Sequence, residues 1–305
     1  MCISNADCSG ATPVCNATTN TCEARPSCLG LAKTCGAAGN LDCCASNIVT
    51  GGTFNRSNDA NYPATVSTFR LDNYPVTVGR FRKFAAAYTN TMTAPGAGKN
   101  PNNPNDPGWN AAWNASLPAD ASALKGGLKC DPNNPYWTWA DTAGTPYAES
   151  LPINCLSRFM AQAFCIWDGG RLPTEAEWNY AAAGGSAQNL YPWGNAAPDC
   201  TRANYYGCVS PYAANRVGSE SPLGDGAYGQ ADLAGNIFEW VQDSQISPYP
   251  MPCNDCAYLV DTSYGILRGG AFYLDASTLL TSYRSFYASP TGQSIGVGAR
   301  CARNQ

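Results

Sequence analysis

The stretch Gly169-Gly-Arg-Leu-Pro-Thr-Glu-Ala-Glu-Trp-Asn-Tyr180 reads as the seam between two helices. Its two glycines admit the left-handed conformation that ends a helix. In Thr174-Glu-Ala-Glu177, the threonine hydroxyl and the second glutamate can satisfy each other's backbone N–H groups, the capping box that starts a helix. A helix is therefore predicted through Trp178 and Tyr180. Upstream, Ser157 to Asp168 forms the other helix, turning Phe159, Met160, Ala163, Phe164 and Trp167 toward a core. Further out, Pro75 to Tyr88 opens with Val76-Thr77-Val78 and continues as an amphipathic helix with Phe81, Phe84 and Tyr88 on one face. Thr65 to Phe69 reads as a short strand, Asn100 to Pro107 as a Pro/Asn-rich loop, and the chain after Gly184 as turns and short strands.

Composition narrows the chemistry. The 305 residues carry 18 Lys+Arg against 22 Asp+Glu, a net charge of −4, with 13% of residues charged against the usual ~25%. Neither sign clusters, so a phosphate-tracking nucleic-acid surface is not expected. No run approaches the ~20 apolar residues of a membrane span. Histidine is absent, which removes Ser-His and Cys-His catalysis and His-ligated zinc, haem or non-haem iron.

There are 16 cysteines, a number that fits a disulfide framework in an oxidising compartment. The protein is therefore expected to be secreted, extracellular or at the cell surface. Met1 is followed by Cys2 and polar residues rather than an apolar leader, so the numbering is expected to start at a mature boundary. Thiolate zinc is the rival reading, but only Cys253-Asn-Asp-Cys256 has knuckle spacing. Eight cysteines (Cys2, Cys8, Cys15, Cys22, Cys28, Cys35, Cys43 and Cys44) fall in the first 46 residues, where apolar residues are too few for a core. Residues 1–46 are thus expected to be a separate module stapled by four bridges of undecided connectivity, and 47–305 the main domain. Proximity suggests Cys130 with Cys155, Cys200 with Cys208, and Cys253 with Cys256, the last with a redox-active CxxC as its rival.

Gly169 to Trp178 followed by Tyr191-Pro-Trp-Gly194, then Asp232-Leu-Ala-Gly-Asn-Ile-Phe-Glu-Trp240, then Leu267-Arg-Gly-Gly270 and Gly298-Ala-Arg-Cys-Ala302, resemble in order and spacing the formylglycine-generating enzyme family, also called sulfatase-modifying factors. The resemblance covers roughly residues 47–305 and implies an α+β, C-type-lectin-like fold with little regular secondary structure. It also implies a bridge between Cys165 and Cys301. The second family bridge would need cysteines near Ala182 and Ser285, and both are missing. Family enzymes hold copper between two thiolates, a soft pair suited to Cu(I). Those positions fall here on Leu274 and about Leu279, with Ala271 in place of the motif serine, so copper is not expected. Iron-dependent relatives need histidine ligands. A third branch uses the same scaffold for ligand-binding faces and needs no catalytic residue.

Binding is accordingly expected on the segment from Ala271 to Val297, at Tyr273, Asp275, Ser277, Tyr283, Arg284 and Tyr287. Aromatic area with small adaptable neighbours suits recognition of a peptide, glycan or protein. The plainer reading puts Tyr273, Tyr283, Phe286 and Tyr287 in the core. The resemblance further implies a structural calcium site at Asp232, Gly235, Ile237 and Glu239, where hard oxygens from carboxylates and carbonyls would surround the ion. Its rival is a pair of acids that cap a turn or bind an arginine. A second family calcium site would use Asn204 and the Tyr205 carbonyl, but lacks its downstream aspartate. The functional alternatives are a catalytically degenerate binding domain, an oxidoreductase with a site relocated to Cys253 and Cys256, and a structural surface protein. The sequons at Asn16, Asn55 and Asn114 decide nothing between them.

Overall fold

The computed structural model describes residues 14–16 and 20–304, apart from the side chains of 14–16, 23, 286 and 287. Strands β1 (Val14–Asn16) and β2 (Thr21–Glu23) pair as a hairpin, followed by β3 (Ser46–Val49), β4 (Gly52–Asn55), β5 (Pro63–Val66) and β6 (Phe69–Asp72). Helices α1 (Val78–Ala87), α2 (Ala121–Gly127), α3 (Pro146–Glu149), α4 (Arg158–Trp167) and α5 (Glu175–Ala182) occupy the middle of the chain. Strands β7 (Phe238–Ser244), β8 (Gly265–Arg268), β9 (Ser285–Ala288), β10 (Val297–Gly298) and β11 (Ala302–Arg303) complete it. β10-β7-β8-β9 form one sheet, β11-β6-β3 a second, and β4-β5 a hairpin.

The helices begin where their caps allow. The Ser157 hydroxyl accepts from Met160 N–H at 3.2 Å, and Thr77 accepts from Arg80 N–H at 3.3 Å. The capping box at α5 is complete, with Thr174 and Glu177 exchanging hydrogen bonds, and Arg171 closes on Glu177 with two contacts of 2.6 Å. Gly169 ends α4 at φ +77°. α1 and α4 then pack ring on ring: Phe164 lies 5.5 Å from Phe81 and 5.6 Å from Phe84. One expected element is broken in two. The strand read over Thr65 to Phe69 turns at Ser67-Thr68, between β5 and β6, because Asp255 accepts from Ser67 N–H at 2.6 Å and from Ser67 Oγ at 2.7 Å. That partner lies far along the chain.

Bridges join Cys130 to Cys155, Cys165 to Cys301, Cys200 to Cys208 and Cys253 to Cys256, and also Cys28 to Cys44 and Cys35 to Cys43. No free cysteine occurs among the described residues. The pairing expected for Cys2, Cys8 and Cys15 involves side chains outside the described ones. The Cys165–Cys301 bridge, with Cα atoms 5.4 Å apart, ties α4 to the residue before β11.

The described part of the Cys-rich segment lies against the rest of the chain. Cys35 and Cys43 are buried with Tyr74, Val217 and Ala231, Gly36 N–H donates to the Val217 carbonyl at 3.0 Å, and Asn73 N–H donates to that of Ala45 at 2.8 Å. Beneath it is a buried ionic cluster. Arg80 reaches Asp72 at 2.8 Å and Asp168 at 2.6 Å, Arg303 reaches both carboxylates and Arg25 reaches Asp72, while Ser27 N–H donates to Asp168. Among the described residues no helix is long and apolar enough to cross a membrane.

Burial alone would raise the Asp72 carboxyl, but Arg303, Arg80 and Arg25 hold it well below the usual carboxylate range. Its stabilisation is therefore full above its unfolded pKa of about 4 and is lost as pH falls through the lower folded value. Arg80→Met keeps bulk and removes the cation, which should cost about 3–5 kcal/mol because buried carboxylates lose their partner. Urea unfolding checks this, and a loss below about 1 kcal/mol would show that the cluster contributes little.

Candidate functional site

The segment Asp232-Leu-Ala-Gly-Asn236 is a tight turn in which Asp232, Gly235 and Asn236 adopt φ of +57°, +82° and +61°. Gly235 is required there, since an added Cβ would meet the Asn204 carbonyl oxygen at 2.5 Å. Gly235 N–H donates to the Gly269 carbonyl at 2.7 Å, and Phe272 N–H donates to that of Asn236 at 2.9 Å. The turn thus positions the Arg268-Gly-Gly-Ala271 segment and everything after it.

Of the four positions expected to hold calcium, Glu239 is committed elsewhere. Its carboxylate receives Arg300 Nε and Nη2 at 2.7 to 2.9 Å and Trp178 Nε1 at 2.7 Å, all fully buried or nearly so. Glu239 is the counter-ion of Arg300, so one of the two carboxylates expected to face calcium is already engaged in this arrangement. No group of three or more acidic, cysteine or histidine side chains that could hold a metal occurs among the described residues. Asp232 is separate from that pair. One of its oxygens accepts from Gly218 N–H at 2.7 Å, and burial together with nearby Glu220 pushes its carboxyl up to about 8.

Of the six expected binding residues, Tyr273 and Arg284 line different cavities. Asp275 caps a short 3-10 turn, accepting from Ser277 N–H at 2.9 Å and from the Ser277 hydroxyl at 2.5 Å. Tyr283 stacks on Phe238 with centroids 6.3 Å apart, and its carbonyl accepts from Arg268. Arg284 pairs with Glu175 at 2.6 Å and lies 4.0 Å over the Tyr249 ring. It lines a separate cavity of about 250 Å³ with Ser57, Tyr62, Tyr249 and Ser282. The side chain of Tyr287 lies outside the described residues. Leu274 is half-buried and Leu279 buried.

Tyr273, partly buried, lines two adjoining clefts. One, of about 290 Å³, has an apolar floor of Phe238, Trp240, Leu267 and Val297, with Ser285 and Gln293 also lining it. The other, of about 330 Å³, is lined by Asp131, Asn134, Tyr206, Tyr212, Tyr273 and Ser294 among others. Ser294 and Tyr273 belong to both. Asp131, Asn134, Tyr206 and Tyr212 were not singled out by the sequence analysis. The available signal was the position of Asp131 beside Cys130 and of Tyr206 inside the Cys200–Cys208 loop.

Residues 37–305 match the sulfatase-modifying factor enzyme 1-like domain. The chain belongs to this family. Similar proteins include the hercynine oxygenase of Mycolicibacterium thermoresistibile, 34% identical over 165 residues that cover 50% of this chain and 35% of that protein. Another is the inactive C-alpha-formylglycine-generating enzyme 2 of Bos taurus, 31% identical over 183 residues, 55% of this chain and 56% of that protein. The chain thus spans about a third to somewhat over half of the length of these relatives. Among solved structures, Treponema denticola variable protein 1 superposes with a TM-score of 0.58 at 18% identity, covering 85% of this chain and 95% of that one. PvdO from Pseudomonas aeruginosa gives 0.60 at 20% identity, with 86% and 95% covered. The fold is the mixed α and β, C-type-lectin-like fold of this family.

With Glu239 engaged by Arg300, excess chelator is expected to leave the melting temperature unchanged, and a fall would show that a cation holds the turn. Asp232 gives a pH signature. Because its folded pKa is raised, the stability it contributes is full below its unfolded value near 4 and is lost as pH rises through about 8. Asp232→Asn should flatten the decline of melting temperature over that window. An unchanged slope would assign the decline to another group, such as Asp243, which burial pushes up to about 7.

Proposed function

We propose that this chain is a catalytically degenerate, ligand-binding member of the family that works in an oxidising, extracellular setting, with its recognition surface on the clefts around Tyr273. The observation that carries the reading is the pair Leu274 and Leu279, side chains without a donor atom, at the positions where the family's enzymes place copper thiolates. With no histidine in the chain, imidazole cannot substitute, so the residues present do not fit copper there. One relative is itself named an inactive C-alpha-formylglycine-generating enzyme. Loss of the thiolates leaves an ordered fold with open, aromatic-lined clefts, the usual form of a binding site.

The relocated-oxidase alternative has less support. Cys253 and Cys256 form a bridge with Cα atoms 4.9 Å apart, and Cys253 is buried in the apolar cluster of Phe54, Val66 and Phe69. Such a bridge acts as a staple. Export is supported by the density of disulfides, which persist in oxidising compartments.

Copper-charged protein mixed with a sulfatase-derived cysteine peptide in oxygenated buffer is expected to show neither oxygen uptake nor aldehyde formation. Turnover of the peptide would overturn the non-catalytic reading. Peptide mapping of protein recovered from the culture medium should find Cys130, Cys155, Cys200, Cys208, Cys253 and Cys256 bridged, and free thiols at these positions would contradict the extracellular assignment.

A further inference from the structure

The larger cleft beside Tyr273 has a chemistry of its own. We propose that it binds a neutral saccharide, one or two sugar rings in size, an inference that rests on the binding-domain reading and names its ligand class. Its aromatic surface is a row of three tyrosines, Tyr206, Tyr212 and Tyr273: Tyr206 lies 6.4 Å from Tyr212, and the fully buried Phe272 packs 6.2 Å from Tyr212 and 5.2 Å from Tyr273. Tyr136 supports the row from behind, 4.9 Å from Tyr212. Tyr206 is 62% exposed, so its face is open to a ligand.

The polar groups lining the cleft include one acid and no base. Asn134 contributes an amide, Tyr206, Tyr212 and Tyr273 contribute phenol hydroxyls, and Asp131 contributes a carboxylate of which one oxygen caps the Asn133 N–H at 3.1 Å. No lysine or arginine lines the cleft, so a phosphate, sulfate or carboxylate ligand would have no counter-charge. A single, partly engaged acid is also a poor match for a divalent cation, which wants several hard oxygens. What fits is a ligand with an apolar face and many hydroxyls. A sugar ring offers its C–H face to the tyrosines and its hydroxyls to the amide, carboxylate and phenol groups. A volume of about 330 Å³ is at the small end for ligand pockets, which suits a ring or two rather than a folded partner.

Both walls are held in place before any ligand arrives. Asp131 follows Cys130, bridged to Cys155, and Cys155 N–H donates to the Ser294 carbonyl at 3.0 Å. Tyr206 sits within the Cys200–Cys208 loop, and its N–H donates to the Leu274 carbonyl at 2.9 Å. A sugar gains little energy per contact, so a site that needs no ordering on binding favours it.

Saturation-transfer NMR of the full chain with millimolar neutral hexoses, N-acetylhexosamines and their disaccharides tests the proposal. At least one of these sugars should receive saturation at its ring C–H protons. Tyr206→Ala should weaken its binding by about tenfold, while Tyr264→Ala, exposed outside the cleft, should leave it unchanged. Raising the salt should have little effect, since the ligand carries no charge. No transfer to any neutral sugar, or equal affinity in Tyr206→Ala, would overturn the proposal. Saturation of tetramethylammonium or of a peptide at this cleft, with the sugars silent, would also overturn it while leaving the binding-domain reading intact. Turnover of the cysteine peptide by copper-charged protein would instead defeat that reading.

Discussion

Asp72 and Asp168 are fully buried carboxylates shared among Arg25, Arg80 and Arg303. These five side chains come from the Cys-rich segment, the end of β6, α1, the end of α4 and β11. An isolated buried charge costs several kcal/mol, so each element must arrive with its partner for the others to remain folded. That constraint explains how a chain with short strands and long loops holds a single arrangement near its termini. It also explains why the described cysteine-rich residues are not an independent bead: Ser27 donates its N–H to Asp168 and its hydroxyl accepts from Arg80.

A second buried pair organises the other half. Arg300 gives Nε and Nη2 to Glu239, Nη1 to the carbonyls of Asp72 and Asn73, and Nη2 also to that of Ala231. Its guanidinium therefore does for this turn what a bound cation would do, neutralising a carboxylate and collecting main-chain oxygens. Arg268 has a similar place one strand away, where it meets Glu175 at 3.1 Å and the carbonyls of Thr281 and Tyr283. Together the two arginines fix both ends of the segment from Ala271 to Val297, so its course does not depend on the sheet alone.

Much of this was legible from residue order. The helices through Phe81 and Phe164 follow from apolar spacing and the one after Thr174 from its capping box, and the four bridges proposed outside the first 46 residues were reached by nearness in sequence or by resemblance. What escaped depends on distant partners. The break between β5 and β6 is set by Asp255, 188 residues from Ser67. Arg284 falls with its segment on the expected recognition surface, and the partner that engages it, Glu175, lies 109 residues away. Asp131 and Tyr206 escaped because the bridges beside them mark ordered loops without showing that the two loops share a cleft.

The location of the clefts follows from how the segment after Ala271 is packed. Leu274 packs against the main core cluster, and Leu279 contributes to a cluster with Ala203 and Ala234. That packing holds the segment down and leaves Tyr273 at its open edge. The loops opposite are long, and long loops are ordinarily mobile, but here each carries a bridge: Cys130–Cys155 behind Asp131 and Cys200–Cys208 around Tyr206. A bridge restricts the unfolded chain, and in the folded protein it also holds side chains that no strand or helix supports. Disulfides placed in loops thus let this domain hold an aromatic cleft in shape with little regular structure beneath it.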